Sequence, residues 1–89
     1  ILDLSVIIVS YDSRFFLELC LRSLKESTKN IKSEIIVVDN NSNDDSINMI
    51  KSLFPDVLLT ENKVNLGFSY ANNLGVKKAK GKYICLLKY

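Results

Sequence analysis

The stretch IIVVDNNSNDD, residues 35–45, places four apolar residues directly before a dense polar cluster. An unbroken run of Val and Ile is typical of a strand that is covered on both faces in a parallel sheet. Such a strand would end near the carboxylate of Asp39, which is followed by Asn40, Asn41 and Ser42. A solvated loop and a pocket at the open end of a sheet both explain this composition, so the rest of the sequence has to separate them.

Apolar runs alternate with helical patterns along the 89 residues of the chain. The runs predict strands at Leu4–Ser10, Glu34–Val38, Val57–Thr60 and Tyr83–Leu87. Apolar residues that recur at three- and four-residue steps predict helices from Ser13 to about Ser27, from Asn43 to Leu53 and from about Ser69 to Lys80. This alternation implies parallel strands joined by right-handed crossovers. We therefore predict a single α/β domain, an open three-layer sheet of four mainly parallel strands in the order 3-2-1-4 with helices on both faces.

The helical patterns also predict which side chains face the core and how the helices start. The inward stripes are predicted to contain Phe16, Leu17, Cys20, Leu21 and Leu24 in the first helix, Ile47, Ile50, Leu53 and Phe54 in the second, and Ala71, Leu74, Val76 and Ala79 in the third. Asp12 or Ser13 is expected to cap the first helix, and Ser42 with Asp45 has the spacing of a capping box.

Two glycines give further expectations for the third helix. Gly75 inside it costs about 1 kcal/mol relative to Ala, which predicts close packing against the sheet. Gly81 is expected to mark its carboxyl end.

Composition and charge narrow the class of protein. The chain is 47% hydrophobic and 25% charged with a net charge of +2, which is ordinary for a globular domain. The lysines within residues 77–82 have no Arg or aromatic residue interleaved, so we expect a solvated helix end and no nucleic-acid partner. Because there is no His and the only two Cys are far apart, zinc sites and His-based catalysis are excluded. Cys20 and Cys85 lie in apolar runs and are predicted to be small buried side chains in a reducing, cytoplasmic compartment.

Polar segments are predicted to meet at one edge of the sheet. In the order 3-2-1-4 the chain reverses its direction across the sheet after the third strand, which leaves a crevice between the first and fourth strands at their carboxyl ends. The segments Ser10–Asp12 and Asp39–Ser42 fall on this edge. Their placement favours a pocket over a solvated loop.

The residues of the two strand tips each have two interpretations. Asp39 can accept hydrogen bonds from a nucleobase imide or a ribose hydroxyl, or it can form with Asn40 and Asn41 an Asx-turn that leads into the next helix. Tyr11 and Asp12 can place a ring and polar backbone beside a bound base, or serve as a helix cap with a partly exposed ring. Spacing alone leaves both interpretations open.

The loop before the third helix is the remaining polar segment. Asn65, Gly67 and Ser69 precede this helix, and Gly67 permits backbone conformations that a side chain forbids. Asn72 and Asn73 are poor helix formers, and contact with a ligand or a neighbouring loop explains them as well as two solvent-facing amides do. The sequence contains neither GxGxxG nor Walker A, so it does not support dinucleotide redox chemistry or P-loop phosphate transfer.

The motifs LSVIIVSYDS (residues 4–13), EIIVVDNNSNDDS (34–46) and NKVNLGFSYANNLGVKKAKGKYICLL (62–87) follow one another along the chain. In order and spacing they resemble the start of family 2 glycosyltransferases with the GT-A fold, and most closely the rhamnosyltransferase-like members that build cell-surface polysaccharides. The nucleotide-binding residues that this resemblance implies are Ser10, Tyr11, Asp12, Asp39, Asn40, Asn65, Gly67 and Asn72. Among them, Asp39 corresponds to the acidic residue that contacts the base or ribose of the sugar donor.

The chain departs from the pattern of this family at several positions. Asp12 stands where the family usually has Asn, and Asp45 where it has Gly. The charge of Asp12 is expected to weaken binding of a diphosphate if the side chain points inward. After the fourth strand the family places a carboxylate or amide, one residue and then Asp, which bind Mg²⁺ or Mn²⁺; here Lys88 and Tyr89 follow. We therefore expect the metal ligands and the general base of the family to be absent, and we assign no catalytic residue.

Together these features predict that residues 1–89 are one nucleotide-sugar-binding half-domain of a longer glycosyltransferase, inactive by itself. The donor is expected to be a UDP- or dTDP-sugar, and the acceptor of the whole enzyme a saccharide or a lipid-linked molecule at the inner face of the membrane. The alternative is a folded, non-catalytic fragment that self-associates through the exposed edge of the fourth strand. A flavodoxin-like signalling domain is disfavoured, because the acidic cluster expected after its first strand is missing.

Overall fold

The two longest apolar runs form the central strands of one sheet in the computed structural model, which describes all 89 residues. The strands are β1 (Leu4–Ser10), β2 (Ser33–Asp39), β3 (Leu58–Glu61) and β4 (Tyr83–Leu87), and the helices are α1 (Arg14–Ser27), α2 (Ser46–Leu53) and α3 (Phe68–Lys78). The sheet has the order β3-β2-β1-β4, and each neighbouring pair is parallel. The predicted α/β topology is confirmed.

Side chains that alternate along the central strands build a separate core on each face of the sheet. On one face, Val6, Ile8 and Val37 pack with residues of α1 and α2 in the larger cluster. On the other face, α3 packs on β1 and β2, where the smaller cluster consists of Ile7, Ile36, Val38 and Ala71. The three-layer arrangement is therefore confirmed, with two helices on one face and one on the other.

Close contact between α3 and the sheet depends on Gly75. A Cβ atom at this position would lie 2.5 Å from Cγ2 of Ile7 and 3.4 Å from Cγ2 of Val38. This spacing confirms the predicted close packing and explains why a residue that weakens helices stands inside α3.

Several predicted core positions are exposed. Phe16 is 62% exposed, Leu53 46% and Val76 37%, so these three predictions are wrong. In α1 only Leu17 and Leu21 are fully buried, and both belong to the core cluster formed with the sheet and α2.

Strand β4 is the exposed edge of the sheet. Cys85 is exposed rather than buried. Its register partner Val6 places it on the face of the sheet that carries α1 and α2, and neither of these helices packs extensively on β4. Tyr83 and Leu86 of the same strand are also exposed. Cys20 is half-buried, and burial raises the pKa of its thiol.

The predicted capping interactions differ from those in the structure. Helix α2 begins at Ser46 rather than Asn43. The side chain of its N-cap residue, Asp45, forms no cap hydrogen bond. Ser42 is therefore not part of a capping box; its side chain bonds to Asp39 instead. Ser13 occupies the N-cap position of α1, again without a side-chain cap bond.

The predicted end of α3 is also corrected. The helix ends at Lys78 with Ala79 at the C-cap, so Gly81 does not terminate it. Gly81 instead packs on the start of β1, where its amide donates to the hydroxyl of Ser5 at 2.8 Å. None of the three helices combines the length and the apolar character needed to cross a membrane.

Candidate functional site

The tips of β1 and β2 lie side by side at the carboxyl edge of the sheet. Ser10 and Asp39 are register partners in the parallel pair, and both are buried. The amide of Asn40 donates to the carbonyl oxygen of Ser10 at 2.8 Å. Because both strands are parallel and in register, the polar residues that follow them are held at the same edge.

The carboxylate of Asp39 is 2% exposed and receives two hydrogen bonds from one residue. The amide of Ser42 donates to Oδ2 at 2.8 Å, and the hydroxyl of Ser42 donates to Oδ1 at 2.6 Å. Each ionised carboxylate oxygen has about two lone pairs. Both oxygens therefore keep acceptor capacity, and the local turn and a ligand contact are compatible at Asp39.

Asp12 connects the two loops that follow β1 and β2. Its backbone has a positive φ of 45°, its amide donates to the hydroxyl of Ser42 at 2.9 Å, and its Oδ1 accepts from the amide of Asn43 at 2.6 Å. Asn41, which directly precedes Ser42, also has a positive φ of 68°. The carboxylate of Asp12 is thus directed to the loop after β2, where a backbone amide partly offsets its charge.

The buried side chain of Asn40 fixes the loop before α3. Its Nδ2 donates to the carbonyl oxygen of Gly67 at 3.2 Å, and its Oδ1 accepts from the amide of Leu66 at 3.3 Å and from Nδ2 of Asn62 at 3.0 Å. Gly67 has a φ of 82°, and its amide donates to Oδ1 of Asn65 at 2.8 Å. The side chain of Asn40 therefore holds this loop against the tip of β2.

The structure brings most of the predicted site residues together. Ser10, Asp12, Asp39, Asn40, Asn65 and Gly67 are joined at the carboxyl edge by the hydrogen bonds described above. Tyr11 directly follows Ser10, and its ring is half-exposed. Asn72 is buried on the face of α3 that also carries Ala71 and Gly75, so it lies against the sheet rather than in solvent.

Three residues at this edge were not assigned to the site from sequence. Ser42 bridges Asp39 and Asp12; the sequence placed it in the polar segment at this edge but indicated a capping role for it. The hydroxyl of Tyr89 hydrogen-bonds with Ser13 and lies 3.2 Å from Oγ of Ser10. Nζ of Lys88 lies 5.2 Å from the centre of the Phe68 ring, a cation–π distance.

Charged residues surround the start of α2. Arg14 forms ion pairs with Glu18 at 2.9 Å and Asp45 at 3.3 Å. Burial acts to raise the pKa of Asp44, but hydrogen bonds from Ser46 and from the amide of Arg14 outweigh it and lower this pKa below its ordinary value. Nε of Arg14 is buried without a hydrogen-bond partner, although it lies 3.3 Å from the carboxylate of Asp45.

The two concave spaces on the surface of the chain lie away from the carboxyl edge. A cavity of about 500 Å³ lies between the end of α1 and the start of β2 and β3, at the opposite edge of the sheet. A second, of about 330 Å³, lies on the outer face of α3. The structure contains no group of three or more His, Cys, Asp or Glu side chains that could hold a metal ion.

Comparison with protein families and with individual proteins gives a consistent result. Residues 5–87 match the family model described as glycosyl transferase family 2. The chain is 36% identical over 77 residues to the SPbeta prophage-derived glycosyltransferase SunS of Bacillus subtilis (strain 168), covering 86% of this chain and 17% of that protein. It is also 36% identical over 88 residues to a poly(ribitol-phosphate) beta-glucosyltransferase of Bacillus spizizenii, covering 93% of this chain and 14% of that protein.

Solved structures share the fold. The crystal structure of S. aureus TarS 1–349 superposes with a TM-score of 0.82 at 23% identity, covering 96% of this chain and 26% of that chain. The mannosyltransferase PcManGT from Pyrobaculum calidifontis, solved in complex with GDP-Man and Mn²⁺, superposes with a TM-score of 0.79 at 26% identity, covering 93% of this chain and 26% of that chain. The predicted GT-A type of fold is confirmed. The chain spans less than a third of the length of each of these four proteins.

Proposed function

The chain belongs to glycosyl transferase family 2, and we propose that the carboxyl edge of its sheet binds the nucleotide part of a sugar donor, UDP or dTDP. The nucleoside would lie between the tips of β1 and β2 and the loop before α3. In the whole protein this donor would supply a sugar to a saccharide or lipid-linked acceptor.

The position and hydrogen bonding of the Asp39 carboxylate are the observation that supports this proposal. A carboxylate at the end of a buried strand, held by two donors on one side, retains lone pairs that can accept a hydrogen bond from a nucleobase imide or a ribose hydroxyl. Such charge-assisted bonds are stronger than neutral ones. The half-exposed ring of Tyr11, next to Ser10, offers a flat apolar surface for a base at the same edge.

Relatives support the general class of substrate. PcManGT was solved with a nucleotide sugar, GDP-Man, and the name of the Bacillus spizizenii relative gives poly(ribitol-phosphate) as the molecule to which it adds glucose. A nucleotide-sugar donor and a polymeric, cell-envelope acceptor are therefore proposed for the whole protein. Binding of UDP or dTDP rather than a guanine nucleotide is our own proposal for this chain.

The residues present do not fit a metal ion. PcManGT contains Mn²⁺, but here no three His, Cys, Asp or Glu side chains form a cluster that could hold a metal ion. Lys88, directly after β4, is a cation, whereas Mg²⁺ and Mn²⁺ prefer oxygen ligands. We therefore assign no step to a metal ion and no catalytic residue within these 89 residues.

Calorimetric titration with UDP and dTDP tests the proposal. We expect the wild type to bind, and Asp39→Ala to bind at least about tenfold more weakly, because a hydrogen bond to a charged group contributes roughly 1.5–3 kcal/mol. Affinity is expected to be the same with and without Mn²⁺. Asp56→Ala is the matched control, because it removes a carboxylate at the opposite edge, where Asp56 pairs with Lys25.

Equal heats for the wild type and Asp39→Ala would remove Asp39 from the site. Absence of binding by the wild type would refute the proposal altogether. Since Asp39→Ala leaves the hydroxyl and amide of Ser42 without their acceptor, Asp39→Asn is measured beside it. The side-chain amide of this variant can still accept from the backbone N–H of Ser42 and donate to the Ser42 hydroxyl. The variant should therefore keep its fold while it loses the negative charge.

A further inference from the structure

We propose that Ser42 is a positioning residue of the nucleotide site, which holds the carboxylate of Asp39 in the orientation that receives the nucleoside. The inference rests on the proposed function, because it concerns the same edge of the sheet. It assigns to Ser42 a role that acts through Asp39 rather than through contact with the ligand.

The two bonds from Ser42 fix the plane of the Asp39 carboxylate. The terminal torsion of Asp is broad, so a carboxylate with one partner can rotate over a wide range. Here the amide of Ser42 holds Oδ2 and the hydroxyl of Ser42 holds Oδ1, so both oxygens are restrained by one residue. Loss of either bond would release this rotation and raise the entropic cost of ordering Asp39 when the nucleotide binds.

The direction of the Ser42 hydroxyl is set by its neighbours. Its oxygen accepts from the backbone N–H of Asp12 at 2.9 Å, and a backbone N–H can only donate. The carboxylate of Asp39 can only accept, so the hydroxyl hydrogen points at Oδ1 of Asp39. Ser42 therefore connects the loop after β1 to the carboxylate at the tip of β2 through hydrogen bonds.

A second serine–aspartate pair in the same loop provides a matched control. The hydroxyl of Ser46 donates to Oδ1 of Asp44 at 2.5 Å, and the amide of Ser46 donates to the same oxygen at 3.0 Å. Ser46 is fully buried at the start of α2, and its partner Asp44 receives the amide of Arg14 rather than facing Asp39. Ser46→Ala removes the same kind of hydrogen bond and leaves the bonds of Asp39 intact.

The experiment is an NMR titration of ¹⁵N-labelled protein with UDP, with urea unfolding measured for each variant. We expect Ser42→Ala to bind UDP about two- to tenfold more weakly, because the released side chain of Asp39 has to be ordered when the nucleotide binds, while Ser46→Ala binds as the wild type does. Ser42→Thr keeps a hydroxyl and should restore binding. In free Ser42→Ala, the amide resonance of Asp12 should shift because its acceptor is gone.

A double-mutant cycle separates positioning from a loss of stability. In the Asp39→Asn background, Ser42→Ala should cause little further loss of affinity, because contacting residues that act as a unit are not additive. Should Ser42→Ala fail to fold, Ser42→Cys replaces it, because its thiol is nearly the same shape but a weak donor. Binding of UDP by that variant should then be weakened.

The outcomes distinguish this inference from the proposed function. If the wild type binds neither UDP nor dTDP, the proposed function is refuted and the role of Ser42 with it. If binding depends on Asp39 but Ser42→Ala or Ser42→Cys binds as tightly as the wild type, only the positioning role is overturned. The same holds if Ser42→Ala and Ser46→Ala lose equal affinity, because the loss would then follow stability.

Discussion

Replacing Gly75 by Ala measures how closely α3 approaches the sheet that carries the site. The added Cβ would lie 2.5 Å from Cγ2 of Ile7, well inside ordinary van der Waals contact, so α3 must move outward or Ile7 must change rotamer. Overpacking of this kind costs typically 1–3 kcal/mol, and a contact this short places the cost in the upper half of that range. Ala is favoured over Gly in a helix by about 1 kcal/mol, which offsets part of it.

The net expectation is a loss of about 1–2 kcal/mol in the free energy of unfolding, from the difference between these two magnitudes. For a domain of this size that loss lowers the melting temperature by roughly 4–16 °C. Thermal unfolding followed by circular dichroism measures the shift, and urea unfolding gives the free energy. If Gly75→Ala instead stabilised the chain, helix propensity alone would govern the position, and the close packing described here would be wrong.

A compensating change identifies the atom responsible. Ile7→Leu removes Cγ2 at nearly constant volume, and such swaps usually cost less than about 1.5 kcal/mol. In the double variant the clash with the new Cβ is relieved, so the pair should be more stable than the sum of the single changes by about 0.5 kcal/mol or more. Strict additivity would show that Cγ2 of Ile7 is not what limits the approach of α3.

The remaining predictions concern the loops at the carboxyl edge. Asn40→Asp places an oxygen against the carbonyl oxygen of Gly67 in a buried position, so urea unfolding should show a loss of at least about 2 kcal/mol; equal stability would contradict this contact. The lowered pKa of Asp44 means that its carboxylate stabilises the fold at pH above its ordinary value of 3.8, and this contribution is lost as the pH falls through the folded-state pKa. The free energy of unfolding, measured from pH 7 down to about pH 2.5, below the ordinary Asp value, should therefore fall more steeply for the wild type than for Asp44→Asn. Parallel curves for the two proteins would exclude the effect.

Much of the fold could be predicted from the sequence because the relevant information is local or depends on general rules of topology. The bounds of β1 and β4 follow from apolar runs bordered by polar residues and glycine, and both match the structure. The order β3-β2-β1-β4 follows from right-handed crossovers and one reversal of direction across the sheet. The same rules placed Asp39 and Ser10 at one edge, where the register pairs them.

The sequence by itself determined the elements, their order and the edge at which the polar segments gather, because periodicity and turn chemistry act between near neighbours. Only the tertiary structure decided the partners of individual side chains. The hydroxyl of Ser42 had a local partner available in a capping box, but the amide of Asp12, from a loop 30 residues away in sequence, lies within reach and commits this hydroxyl to Asp39. Phe16 continues the apolar pattern of α1 yet stays exposed, whereas Leu17 and Leu21 of the same helix are buried, because burial depends on which elements pack against each part of the helix surface.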